Sequence, residues 1–159
     1  MMANIEKKNN EKQNGVLKSS IGFKSVNIHI IGACNYHCGF CFTKGLSDQF
    51  LSKEMWISIF IDLRNRGVEK INFAGGEPFL HPELIEYCKI CKELGFTVSI
   101  ISNASLITEE VLRTVAEYVD WLGISIDSSD NDVEKSLADI AEDAIMWKMQ
   151  LEFLILHTN

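Results

Sequence analysis

The chain has no apolar run approaching the roughly 18 residues of a membrane-spanning helix, and its first residues lack the apolar core of a signal peptide. Neither membrane insertion nor export is expected, and the expected location is the cytoplasm. Basic charge is also scarce: 15 Lys and Arg stand against 22 Asp and Glu, for a formal net charge of −7. Residues 1–24 hold five lysines and two glutamates, which leaves the remainder at −10. So acidic a body is a poor generic surface for nucleic acid, and no nucleic-acid partner is expected. The opening segment has no apolar periodicity, which excludes an amphipathic membrane anchor, and residues 1–24 read as a disordered polar lead-in. Hairpin signals are missing as well, so the strands that follow are not expected to pair antiparallel.

What is present is a 47% hydrophobic fraction in 159 residues, enough for one compact domain and too little for two. Strand and helix signals alternate through it. Val26 to Gly32 reads as a strand. A helix then follows, with Ser52 as its cap, the stripe Leu51, Met55, Trp56, Ile59, Phe60 and Leu63 as its core face, and Gly67 as its stop. Lys70 to Phe73 is the second strand, with a helix opened by Pro82 and closed at Gly95. Phe96 to Ser102 is the third, followed by a helix capped by Thr108 that turns Val111, Leu112, Val115 and Val119 inward. Trp121 to Ile126 is the fourth. Residues 129–159 read as an atypical helix, Asp132 to Met149, and a strand, Leu151 to Leu156. Repeated β-α order predicts an α/β protein with a parallel sheet and right-handed crossovers, an incomplete parallel (βα) barrel of about four to five units.

Five cysteines in a chain expected to stay in a reducing compartment point to metal or redox use rather than to disulfides. Cys34, Cys38 and Cys41 have the spacing C-x3-C-x2-C in a loop that leaves the first strand at its carboxyl end, where barrel folds keep their chemistry. Such a loop can aim three thiolates at one 4Fe-4S cluster and leave the fourth iron open for a ligand. Cys88 and Cys91 form a second C-x2-C, but they fall on a helical apolar face and are expected to pack as core, with an auxiliary metal site as the alternative. Three later loops should share the end of the sheet with the cysteine loop. Gly75-Gly76-Glu77-Pro78 offers two glycines against which a ligand can lie and a carboxylate for an ammonium group. Ser102 to Ser105 and Ser125 to Ser128 complete the set.

With these residues in view, the sequence resembles the radical S-adenosylmethionine superfamily: Cys34, Cys38 and Cys41 match its cluster motif, and Gly75 to Pro78 its methionine-binding motif. The segments Cys34 to Phe42, Lys70 to Leu80, Val98 to Ile107 and Ile124 to Ser128 look like those of viperin and its prokaryotic relatives. The resemblance implies a 4Fe-4S cluster and S-adenosylmethionine as cofactors, and residues 25–128 as the amino-terminal part of the radical core. It makes Asn103, Ser105, Ser125 and Asp127 candidates for contacting the cofactor's ribose or adenine, beside Gly75, Gly76, Glu77 and Pro78. It names no catalytic residue. Its implied reaction begins with a 5′-deoxyadenosyl radical, which takes the 4′ hydrogen of a nucleoside triphosphate (CTP, GTP or UTP). The nucleotide then loses its 3′ hydroxyl as water, in antiviral defence, with flavodoxin or ferredoxin as the electron donor. A radical enzyme acting on a peptide or other small molecule, and an inactive binding module, are the alternatives.

The pattern also departs from that family. After Asp127 viperin-like proteins carry a Gly-rich basic loop and further Lys- and Arg-bearing strands, whereas here Ser129-Asp130-Asn131-Asp132 is acidic. Trp147-Lys148-Met149-Gln150 is similar to a later family segment. A full barrel uses about 250 residues for eight units, so the 134 residues from Val26 to Asn159 allow about four, against about six in the family's partial barrel. A truncated chain is expected, with the cofactor half present and most of the substrate half absent.

Overall fold

Apolar residues at every second position make four strands: β1 (Ser25–Ile31), β2 (Lys70–Gly75), β3 (Thr97–Ser102) and β4 (Trp121–Ile124). The computed structural model describes residues 22–45 and 51–138. Within them the sheet is four-stranded and parallel throughout, in the order β1-β2-β3-β4. Each strand is followed by a helix: α1 (Lys53–Asn65), α2 (Leu84–Glu93), α3 (Glu109–Tyr118) and α4 (Asn131–Ala138). Four βα units in an open sheet are the incomplete barrel that the sequence predicts.

Register sorts the two faces. Ile28 pairs with Phe73 and Phe73 with Ile100, and all three are buried in one core with Trp56 and Phe60 of α1 and Tyr87 of α2. Phe60 meets both Phe73 and Tyr87 edge-on, with ring centroids 6.1 and 5.8 Å apart. The opposite face carries Asn27, Asn72, Ser99 and Trp121 in one row, where Ser99 Oγ donates to Asn72 Oδ1 at 2.7 Å. A register shift between His29 and Ile31 interrupts the β1–β2 ladder before its last pair, Ile31 with Gly75, and Ile30 and Ile31 are both buried just before the cysteine loop.

Local signals explain the helix ends. Ser52 Oγ accepts from the Met55 amide and Thr108 Oγ1 from the Val111 amide, and Gly67 takes the left-handed conformation that stops α1. Other expectations shift. Met55 and Leu51 are exposed, because only the Trp56–Phe60 side of α1 meets the sheet. In α3 Val115 alone is buried. Helix α2 starts two residues after Pro82, and Pro78–Leu80 forms a 3-10 turn that periodicity did not indicate. Cys88 and Cys91 are fully buried in α2, and burial pushes the Cys88 thiol up to about 12 and that of Cys91 further. Protonated thiols in an apolar core are packing groups, so the core reading holds over the auxiliary metal site. Of the lead-in, residues 1–21 lie outside the described residues, as do the expected strand Leu151 to Leu156 and the segment Trp147 to Gln150. Lys24, at the end of that lead-in, accepts the Glu69 and Lys70 amides through its carbonyl.

Candidate functional site

A parallel sheet brings all four strand ends to one edge, so the cysteine loop, Gly75 to Pro78, Ser102 to Ser105 and Ser125 to Ser128 are neighbours as expected. The first two are tied through their backbones. Gly76 N donates to Ile31 O at 2.8 Å and Glu77 N to Ala33 O at 2.9 Å, which extends the β1–β2 ladder to the root of the cysteine loop. This approach explains the glycines. A Cβ on Gly75, whose φ is 135°, would stand 2.3 Å from Ile31 O, and one on Gly76 would stand 2.0 Å from Ala33 O. Both glycines therefore admit the neighbouring strand's backbone, a requirement separate from any ligand.

Glu77 behaves differently from the expectation that its carboxylate awaits an ammonium group. It is fully buried. One carboxylate oxygen accepts from the Phe79 amide at 3.0 Å and from Ser102 Oγ at 2.9 Å, and the other accepts from the Asn103 amide at 2.9 Å. Burial pushes its carboxyl above the usual range, opposed by these three donors. The carboxylate thus fixes the 3-10 turn to the β3 loop, and Pro78 is buried as the first residue of that turn.

The β3 loop in turn reaches the cysteines. Ala104 adopts a left-handed φ of 65° while almost fully buried, a strained conformation for a residue with a Cβ. Asn103 Nδ2 lies 3.0 Å from Asn35 Oδ1 and 3.9 Å from Cys34 Sγ, and Ser105 Oγ accepts from the side-chain Nδ2 of Asn35 at 2.7 Å. Asn103 and Ser105 are thereby brought to the cysteine loop. Ser125 and Asp127 stand exposed beyond β4, Ser125 donating its amide to Ser102 O at 2.9 Å. Neither of them is hydrogen-bonded to a cysteine; Asp127 acts on Cys38 through its charge.

The three thiols are half-buried and unequal. Burial raises the pKa of Cys34, opposed by the Tyr36 amide, which donates to its sulfur at 3.4 Å. Burial also raises that of Cys38. Cys41 is lowered, chiefly by Thr43, whose hydroxyl lies 2.9 Å from its sulfur. Charge on the Cys41 thiolate raises both of the others, so three ionised sulfurs here need a cationic partner. Among the described residues no three His, Cys, Asp or Glu gather as a single metal ion requires. Three thiols carried on one loop are the donor set that a 4Fe-4S cluster takes, one thiolate to each of three irons. Replacing Cys34, Cys38 or Cys41 by alanine is expected to abolish the broad absorption at about 400 nm of the reconstituted chain, whereas Cys88→Ala should retain it. Retention in all three variants would overturn the assignment.

Sequence reading gave Ser102 only as the start of a site loop and missed Asn35 and Thr43 as members of the site, and also Glu134, whose carboxylate accepts the Asp127 and Ser128 amides. Three of these sit within two residues of a residue already singled out, and position next to a motif was the available signal. Glu134 could have been noticed as an acid between Val133 and Leu137 on the apolar side of its helix.

The sequence model of the Radical SAM superfamily matches residues 28–151. An S-adenosylmethionine-dependent nucleotide dehydratase of Thermoplasmatales archaeon (strain ISO4-H5) is 48% identical over 108 residues, covering 68% of this chain and 39% of that protein. One from Oncorhynchus mykiss is 41% identical over 130 residues, covering 78% and 37%. The chain therefore spans less than two fifths of the length of these relatives. The fold is that of Streptococcus suis SuiB bound to S-adenosylmethionine (TM-score 0.68, 23% identity, 77% of this chain and 29% of that one). It is also that of BtrN in complex with AdoMet and 2-DOIA (TM-score 0.61, 18% identity, 77% and 53%). Matched over most of its length and built on the same parallel sheet, with a cysteine loop that suits a three-thiolate cluster, the chain belongs to the radical SAM superfamily, whose members work with a 4Fe-4S cluster and S-adenosylmethionine.

Proposed function

We propose that this chain is the cofactor-bearing part of a radical enzyme that dehydrates a nucleoside triphosphate, CTP, GTP or UTP, in the cytoplasm and in antiviral defence. The observation that carries the reading is the 48% identity to a relative named as an S-adenosylmethionine-dependent nucleotide dehydratase. When bound, the cluster and adenosylmethionine supply hydrogen-abstracting radical chemistry, with an electron delivered by a flavodoxin or ferredoxin.

The chain's own residues hold and orient. Cys34, Cys38 and Cys41 would hold the cluster, and the Thr43 hydroxyl beside Cys41 lowers that thiol's pKa. The backbone of Gly75 and Gly76 is pinned to β1, with Glu77 and Pro78 holding the turn's shape, and this turn would receive the methionine end of the cofactor. Asn103 and Ser105 face the cysteine loop from β3, and Ser125 and Asp127 stand at the end of β4; in this reading these four would contact the cofactor's ribose or adenine. No nucleic-acid or membrane partner is part of this reading. Among the described residues no helix is long and apolar enough to cross a membrane.

The test is release of 5′-deoxyadenosine from reconstituted, reduced protein with each nucleoside triphosphate in turn. One nucleotide is expected to stimulate release above the nucleotide-free rate. Release that no nucleotide changes would refute the reading and favour a radical enzyme acting on a peptide or other small molecule; no release at all would favour an inactive binding module, with which the acidic Ser129 to Asp132 segment is consistent.

A further inference from the structure

We propose that Glu134 is a positioning residue that locks the β4 arm of the site to the cysteine loop through α4. Short helices usually present their acids to water, and Asp132 on this one is exposed. Glu134 is only 5% exposed. Its Oε2 accepts from the Asp127 amide at 3.0 Å and the Ser128 amide at 2.5 Å, two successive N–H groups of the loop that leaves β4. The start of the helix is itself held to that loop: Asp130 Oδ1 accepts the Asp132 and Val133 amides, and Ser128 Oγ accepts the Asp130 amide. One turn beyond Glu134, the Leu137 carbonyl accepts from Gly39 N at 3.2 Å. Gly39 lies between Cys38 and Cys41.

Helix α4 is therefore a bracket with one grip on each loop. Its carboxylate holds the β4 loop, and its carbonyl holds the cysteine loop at the residue after Cys38. Tyr36 lies within the field of the Glu134 carboxylate, and Cys38 within that of Asp127, so the two loops face each other across this bracket. A charge-assisted pair of bonds to backbone is strong enough to set the position of a loop that has no regular hydrogen-bond ladder. Without it, Asp127 and Ser128 regain freedom and α4 loses its registration on Gly39. The role is independent of which substrate the enzyme takes, and it concerns the geometry that three thiolates must share.

The experiment uses the full chain before cluster loading and reads the alkylation rate of each cysteine by mass spectrometry. Glu134→Ala is expected to raise the rates at Cys38 and Cys41 by about tenfold to a hundredfold, the loss of two charge-assisted hydrogen bonds. Cys88 and Cys91, buried in α2, should stay protected and report an intact fold. Glu134→Gln keeps a carbonyl acceptor and should fall between wild type and alanine; Glu134→Asp, one methylene shorter, should resemble alanine. In the reconstituted protein the same order is expected for adenosylmethionine affinity. Wild-type alkylation rates in Glu134→Ala would overturn the proposal. So would a uniform rise at all five cysteines in both the alanine and glutamine variants, since that would assign Glu134 to global stability and not to the loop.

Discussion

Gly76→Ala is expected to prevent cluster assembly and to destabilise the domain by about 3–5 kcal/mol. The added Cβ would lie 2.0 Å from Ala33 O, 2.5 Å from Ala33 C and 2.7 Å from Gly32 O. These are backbone atoms, so no side-chain rotation relieves the clash. The strands must separate, and the bonds Gly76 N to Ile31 O and Glu77 N to Ala33 O must lengthen or break. Two backbone hydrogen bonds at about 1 kcal/mol each, added to an overpacking cost of about 1–3 kcal/mol, give the stated range. Against a total stability on the order of 5–15 kcal/mol such a loss leaves a folded but weakened chain. The displacement falls on Ala33, the residue before Cys34. Urea unfolding of the apo-chain checks the stability, and absorption at about 400 nm after reconstitution checks the cluster. An alanine variant with unchanged midpoint and full absorption would show that the β1–β2 contact does not govern the loop.

The same contact shows where sequence reading reaches and where it stops. The order of β and α elements was legible because each strand buries one apolar row and each helix one stripe, and such periods are local. Ser52 and Thr108 were legible as caps for the same reason, since a cap bonds an amide three residues away. The two glycines were legible as a turn, but their cause was not: what excludes a side chain at Gly76 is Ala33, 43 positions earlier in the chain. Glu77 is a second case. Its type suggested a cationic ligand, and its donors are the amide of Asn103 and the hydroxyl of Ser102, supplied from the next strand. Asn35 and Asn103 meet across 68 residues. Met55 failed for the complementary reason, since a helical stripe tells which residues could face a sheet and only the helix's placement decides which do.

Glu77 is therefore the place where stability and site geometry are most tightly coupled, and its variants should rank by what they leave unpaired. Glu77→Ala removes the acceptor for the Phe79 amide, the Asn103 amide and Ser102 Oγ. Ser102 Oγ still accepts from the Ala104 amide at 2.9 Å, but its buried hydroxyl proton loses its acceptor along with the two amides. At about 1–3 kcal/mol for each buried donor left unsatisfied, the destabilisation is on the order of 2–5 kcal/mol, partly offset because a buried charge is removed with it. Glu77→Gln retains one acceptor oxygen and turns an NH2 toward the remaining donor, so it should lose about 1–3 kcal/mol. Ser102→Ala leaves both amides on the carboxylate but removes one donor to it and the acceptor of the buried Ala104 amide, so it should cost about 1–3 kcal/mol. The pH dependence separates charge from shape. Burial raises the carboxyl in the folded chain, so its protonation contributes stability that is full below the unfolded value of about 4.3 and is lost as pH rises through the raised folded value. The stability difference between wild type and Glu77→Gln should therefore grow in favour of wild type as pH falls through that window. Adenosylmethionine affinity is expected to fall in the same order as stability, since Asn103, which Glu77 anchors, is the residue that links β3 to Asn35 and Cys34. Equal stability and affinity in the alanine and glutamine variants would mean that the buried carboxylate holds neither the turn nor the β3 loop.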